Sequence, residues 1–264
     1  MTGLRHELRV FFVALQFLTR LPVPHWVGHE SKLLQRAVRH FPLVGALIGA
    51  TGAAVALGAL QLWPATVAAT LAVAATVWLT AAFHEDGLAD TFDALLGAAP
   101  REKALAIMKD SRIGSYGAAA LSLLLLLRVL LLAELLARAA LPAAAALVAA
   151  HAAGRAGAVV LMRALPYAGD AAQAKAPSLT RDTLTFDAVW AALIGTLALG
   201  LAAAVPPSGI PAFAGAFGAL AVIVLELRRW LRQRLGGATG DTLGAAEQLG
   251  EAAVLLAFLA TWPR

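Results

Sequence analysis

Cysteine is absent from this 264-residue chain, which removes any disulfide framework, thiolate nucleophile or Cys-based metal site. Charge is scarce as well. Asp, Glu, Lys and Arg make up 14% of the residues, where a water-soluble globule would carry roughly a quarter. The short motifs of common enzyme chemistries are also missing: there is no GxSxG elbow, no P-loop lysine and no dinucleotide-binding fingerprint. The six histidines are for the most part scattered along the chain, which argues against zinc. The first forty residues are rich in Arg and His and lack a small-residue cleavage site after an apolar core, so no cleavable signal peptide is expected.

Apolar bulk dominates instead, at 60% of the residues. It comes in long blocks rather than in periods of 2 or 3.6, which predicts helices surrounded by lipid. Seven stretches approach bilayer length: 41–63, 65–83, 115–137, 141–162, 186–205, 210–227 and 247–262. Most are close to the ~20 residues that cross a ~30 Å hydrocarbon core. The last is the weakest, because its apolar part is short and opens with Glu247 and Glu251. Residues 10–21 are too few to span and read as an interfacial or re-entrant helix. The expected fold is all-α: one polytopic membrane domain over 1–264, with six or seven transmembrane helices plus that short N-terminal helix. Its Ala-rich stretches suit close helix approach.

The net charge of +5 gains meaning from its distribution. Residues 1–40 hold six Lys/Arg, 84–114 four, 163–185 three and 228–246 four, which is 17 of the 21. Alternating spans put all four segments on one side, and the positive-inside rule makes that side cytoplasmic. Lipid is therefore the expected environment and nucleic acid is not an expected partner.

Three segments on that side carry chemistry. In FHEDGLADTFDALLG (83–97), Asp86, Asp90 and Asp93 stand at i, i+4 and i+7, one face of a helix, with Glu85 bordering it. Carboxylates gathered beside lipid repel one another unless a cation lies between them, and all-oxygen ligation suits Mg²⁺ or Mn²⁺. Helix-end charges that interact with the dipole are the plain alternative. In MKDSRIGSYGA (108–118), Lys109 and Arg112 offer cations and Ser111 a hydroxyl, while the glycines let amides of a helix starting near Ser115 approach an anion. In RLGGATGDTLGAAEQLGE (234–251), Asp241 follows Gly240 and is either an N-cap or a further ligand or substrate-holding group. Glu247 and Glu251, at i,i+4, are expected to face the bundle interior.

Four other charges are less telling. Arg20, before two prolines near the membrane surface, is a candidate phosphate contact, although snorkelling accounts for it equally well. His151 and Arg155 line a polar cavity, bond helix to helix, or anchor a boundary. Arg128 has no assigned role. Acids for a divalent cation, cations and glycines for phosphate, and a dry bundle behind them together suggest phosphoryl transfer on an amphiphilic substrate.

These three segments in this order, together with ALQFLTRLPVP (14–24) and HFPLVGALIG (40–49), resemble the cobalamin synthase family, the adenosylcobinamide-GDP ribazoletransferases. The His84–Ala94 core is the most specific match, with Ala94 where the family usually has Gly. The resemblance implies a Mg²⁺-dependent enzyme of the bacterial inner membrane that completes the cobalamin nucleotide loop. A hydroxyl of α-ribazole, or of its 5′-phosphate, attacks the phosphorus on the cobinamide arm of adenosylcobinamide-GDP, and GMP leaves.

Carried onto this chain, Glu85, Asp86, Asp90 and Asp93 would bind the metal. Asp86, Asp90, Asp93 and Asp241 would be catalytic, with the general base left open among them. Lys109, Ser111, Arg112, Arg20 and Gly240 would hold substrate phosphate. Homo-oligomerisation, or a complex with other corrinoid-pathway enzymes, is an open expectation. Two rival readings stand beside this one. A CDP-alcohol-type phosphotransferase would need Ala-Arg where Asp90 and Thr91 stand, and a cation-coupled transporter would place its acids near mid-membrane.

Overall fold

A computed structural model describes residues 3–28, 30–169 and 183–263, and its regular structure there is helical. In chain order the helices are α1 (Gly3–Leu18), α2 (Ser31–Ala37), α3 (Phe41–Ala59), α4 (Ala65–Leu79), α5 (Phe83–Leu96), α6 (Arg101–Ile107), α7 (Ser115–Arg138), α8 (Ala140–Ala164), α9 (Thr185–Ala203), α10 (Gly209–Arg234) and α11 (Gly240–Ala260). Among the described residues six helical stretches are long and apolar enough to cross a membrane: Leu33–Ala59, Ser115–Arg138, Ala140–Ala164, Thr185–Ala203, Gly209–Arg234 and Gly240–Ala260. A bent pair, α4 with α5, makes a seventh if it is taken as one span. The chain is a multi-pass helical membrane protein.

Three boundaries differ from those the sequence predicts. The stretch 65–83 is a 15-residue helix ending at Leu79, after which the chain turns by 89° into α5. Ala81 and Ala82 make the elbow with φ of 56° and 54°, a left-handed conformation that costs an L-residue about 1–2 kcal/mol. Alanine tolerates it better than a branched side chain. The last helix begins at Gly240, so Glu247 and Glu251 lie in its third and fourth turns, inside the bundle. The N-terminal helix is Gly3–Leu18. It buries Val10, Val13, Ala14, Leu15 and Leu18 and leaves Leu4 and Leu8 exposed. At 16 residues it is shorter than a span. The expected basic loop 163–185 falls partly outside the described residues.

Helix α8 is the hub, buried on nearly every side and packed by α3, α9 and α11. Its Ala-rich sequence explains this, because small side chains let backbones come close where hydrocarbon solvent gives no hydrophobic drive. Glycines on the partners complete the fit. A Cβ placed on Gly49 of α3 would stand 2.7 Å from the Val148 Cα of α8, and one on Gly154 of α8 would stand 2.8 Å from the Glu247 carbonyl oxygen of α11.

At one end of the bundle the four basic segments converge. Arg101 donates to the carbonyls of Leu235 (2.8 Å) and Ala168 (2.8 Å), and Arg234 donates to those of Leu95 (3.3 Å) and Ala99 (3.2 Å). Ala168 and Ala238 exchange backbone bonds with their neighbours across the same junction. Arg39 reaches both Glu7 of α1 (2.7 Å) and Asp187 of α9 (3.3 Å). The loops that carry the sequence motifs are thereby gathered onto one surface.

The packing predicts a contrast within α3. Gly49→Ala forces backbones apart and should cost about 1–3 kcal/mol. Gly58→Ala, whose Cβ meets nothing within 4 Å, should be neutral or stabilising by up to about 1 kcal/mol. Thermal unfolding of the purified variants in detergent reads both.

Candidate active site

The motif helix α5 presents its charges in two directions. His84 and Glu85 point into the bundle and are buried, whereas Asp86 is exposed and Asp90 and Asp93 are half-buried. The sequence places all four acids on or beside one face, and the structure takes Glu85 out of that group. Its Oε1 accepts from Gln248 Nε2 (3.1 Å) and lies 3.5 Å from Arg128 Nη1.

Around Glu85 lies a polar cluster drawn from four helices. Arg128 of α7 forms an ion pair with Glu251 at 2.5 Å and donates to Gln248 at 2.6 Å. Arg155 of α8 forms an ion pair with Glu247 at 2.5 Å and donates to Glu251 at 2.9 Å and to the His151 carbonyl at 3.0 Å. His151 Nδ1 is in contact with Glu251 Oε1, and Gln248 links Glu85 to Glu247, the latter at 3.0 Å. Three carboxylates meet two guanidiniums and two imidazoles, all buried. His151, Glu247 and Glu251 place ligand atoms within 4.8 Å of one another. The Arg155 guanidinium in contact with both carboxylates supplies the countercharge a cation would otherwise bring, so the cluster is a poor fit for a metal. It is the mechanical link between α5, α7, α8 and α11.

Arg128 and Gln248 are the residues that sequence reasoning missed. An arginine inside LLLLLRVLLL, with Glu251 as the opposite charge in another span, was the available signal, since intramembrane charges come in partnered sets. His151 and Arg155 take the helix-to-helix bonding role of their alternatives. Glu134 is exposed.

The outward acids stand at the gathered end. Asp86 lines a cavity of about 410 Å³ between the end of α1 and the α4–α5 elbow, shared with Arg20, Thr19, Thr80, Phe17 and Phe83. Arg20 is fixed there by its own amide bonding Leu79 O (2.9 Å) and by its guanidinium lying 5.8 Å from the Trp78 ring centroid. Asp90 follows Asp86 by one turn. Asp93 is turned to the start of α7: its oxygens accept from the Gly114 amide (2.7 Å) and the Gly117 amide (2.8 Å). The anion served by the GSYG glycines is therefore Asp93 itself.

Across from α5 stands the N-terminus of α11. Gly87 packs against Asp241 so closely that a Cβ would lie 2.7 Å from the Asp241 carbonyl oxygen and 2.9 Å from its Cα. Glycine at 87 thus sets Asp241 beside the Asp86–Asp90 helix. The N-cap is Thr239, which shares a capping box with Thr242 (Thr239 N to Thr242 Oγ1, 2.9 Å). Asp241 sits in the first turn, half-buried, and Gly240 borders a small inner cavity with His84, Arg155 and Glu247.

Lys109, Ser111 and Arg112 are exposed on the loop before α7. Arg112 bonds Asp110 at 2.5 Å, and these hydrogen bonds hold the Asp110 carboxyl down at about 2. Their contribution is present above the ordinary carboxylate range and is lost only as pH falls toward 2, so the pair stays ionised throughout neutral pH.

Removing Arg128 leaves three buried acids facing one guanidinium. Arg128→Met is expected to cost about 3–5 kcal/mol. Adding Glu251→Gln returns the wild-type imbalance and should recover part of the loss, as a favourable coupling of about 1–3 kcal/mol in a double-mutant cycle on thermal unfolding.

Comparison with known proteins accords with this geometry. A family model described as cobalamin-5-phosphate synthase matches residues 10–259. Curated relatives named adenosylcobinamide-GDP ribazoletransferase include one from Leptothrix cholodnii, 53% identical over 98% of both chains. Another from Ralstonia nicotianae is 44% identical over 98% of both, and one from Shewanella amazonensis is 41% identical over 99% of both. No solved structure matches. The chain belongs to the cobalamin-5-phosphate synthase family.

Proposed function

We propose that this chain joins α-ribazole, or its 5′-phosphate, to adenosylcobinamide-GDP with release of GMP, the final assembly of the cobalamin nucleotide loop. The observation that carries the reading is the family match over residues 10–259, with relatives of that name aligned nearly end to end. The site geometry is consistent with it, because exposed acids, Arg20 and the start of α11 meet at the end where the basic loops gather. That end is cytoplasmic by the positive-inside rule, in a bacterial inner membrane.

A ribose hydroxyl oxygen bonds to the phosphorus on the cobinamide side of the diphosphate. The bond from that phosphorus to the bridging oxygen breaks, and GMP departs with the bridging oxygen. The hydroxyl proton passes to a carboxylate, for which Asp241 beside Gly87 is the leading choice. Arg20 holds phosphate oxygens from the cavity wall. Lys109 and Arg112 bring positive charge to the rim for the departing GMP, with Ser111 on the same loop and Gly240 at the α11 start close to the phosphates.

Mg²⁺ fits the outward face of α5. Such an ion takes one or two carboxylates and completes its shell with water and substrate phosphate; Asp86 at the open cavity and Asp90, one helical turn further on, offer that number. Bound there, it would neutralise charge on the diphosphate and its leaving group. Glu85 is committed to the buried cluster, and Asp93 fixes the turn into α7.

Purified protein in lipid with adenosylcobinamide-GDP, α-ribazole and Mg²⁺ should release GMP, and no release above a protein-free control would refute the reading. Asp241→Asn should lower kcat about 100-fold or more. Asp86→Asn should raise the Mg²⁺ concentration for half-maximal rate at least about tenfold.

A further inference from the structure

The cavity of about 410 Å³ at the α4–α5 elbow has walls that discriminate between the aromatic bases the proposed reaction involves. We propose that it is the acceptor subsite: it takes the benzimidazole riboside, with the base against Phe83 and Phe17 and the ribose toward Asp86. This rests on the activity proposed above.

Size comes first. Small-molecule sites measure about 300–1,000 Å³, so the cavity has room for a nucleoside and falls far short of a corrin ring with its arms. Wall chemistry decides between nucleosides. Phe17 and Phe83 stand edge to face with centroids 5.4 Å apart, and Phe17 is backed by a stacked Phe41 at 5.8 Å. Phe83 keeps 43% of its surface exposed, so part of an aromatic ring remains available to a planar ligand at the cavity wall.

The hydroxyl protons nearby are already engaged. Thr19 Oγ1 donates to Leu15 O (2.8 Å) and accepts from the Leu21 amide (3.2 Å), and Thr80 Oγ1 donates its proton to Thr76 O (3.1 Å). Ala81, Ala82 and Leu18 add apolar wall. A guanine base presents a row of donors and acceptors to which the apolar part of this wall, Phe17, Phe83, Ala81, Ala82 and Leu18, offers no side-chain partners, at the cost of desolvating them. An alkylated benzimidazole presents almost none. The two charged side chains of the lining, Arg20 and Asp86, match the riboside's polar part: a hydroxyl that must reach the reacting phosphorus, and a 5′-phosphate when present.

The test is a split of Michaelis constants in the GMP-release assay. Phe83→Ala should raise KM for α-ribazole about tenfold, with KM for adenosylcobinamide-GDP held within about twofold. Phe83→Leu, which keeps apolar packing without the ring, should give an intermediate rise and serves if the alanine variant does not fold. A rise in KM for adenosylcobinamide-GDP instead, or in neither constant, overturns the assignment. Calorimetry with α-ribazole alone separates this from failure of the activity. If wild-type protein binds α-ribazole and Phe83→Leu weakens it, the subsite stands even where no GMP is released. If wild-type protein does not bind it, or the variant binds equally well, the subsite is refuted.

Discussion

Two guanidiniums inside an apolar bundle, Arg128 and Arg155, constrain where the neighbouring helices stand. An isolated charge in hydrocarbon is costly, so each must be met by carboxylates from other spans. Glu251 and Glu247 of α11 answer them at 2.5 Å each, and Gln248 carries the connection to Glu85 of α5. The pairs are direction-giving as well as attractive, because a buried guanidinium left without its partner is penalised by several kcal/mol. Packing by small residues brings α3, α8 and α11 close. The ionic cluster fixes their rotation and their register against α5 and α7.

Function follows from that register. With Glu85 drawn inward, the 100° step between successive helical residues turns Asp86 outward, into the cavity beside Arg20. Gly87, one residue on, seats α5 against the Asp241 backbone. Three consecutive residues of one motif thus take separate places: Glu85 anchors the helix, Asp86 faces the outer cavity, and Gly87 permits the contact that brings in α11. Asp93 closes the arrangement by gripping the amides of Gly114 and Gly117, so the loop holding Lys109 and Arg112 ends at a fixed point.

Much of this was legible in the sequence because membrane folding writes in long words. Apolar blocks of bilayer length gave the helices, and clustered Lys and Arg gave the common end. The order of HEDGLAD, KDSRIGSYG and GATGD identified the family. The elbow at Ala81–Ala82 was hidden, since alanine carries no turn signal and the left-handed conformation is imposed by tertiary contacts. The division of labour between Glu85 and Asp86 was equally hidden. Helical periodicity groups residues by face, but only the positions of Arg128 and Gln248, 43 and 163 residues away from Glu85, show which face is inward. The glycines of GSYG were ambiguous for a related reason: glycines at a helix start suit any anion, and the one they hold came from the chain itself.

The central claim is that the motif acids form two sets, a buried set paired with Arg128 and Arg155 that holds helices and an outward pair on α5 proposed to meet the metal and substrate. Electron paramagnetic resonance with Mn²⁺ in place of Mg²⁺, on protein in lipid with adenosylcobinamide-GDP, tests it directly. The account predicts bound Mn²⁺ with phosphorus hyperfine coupling, abolished by Asp86→Asn and retained in His151→Gln. Bound Mn²⁺ that survives Asp86→Asn and shows histidine-nitrogen coupling would place the metal in the buried cluster and contradict the account.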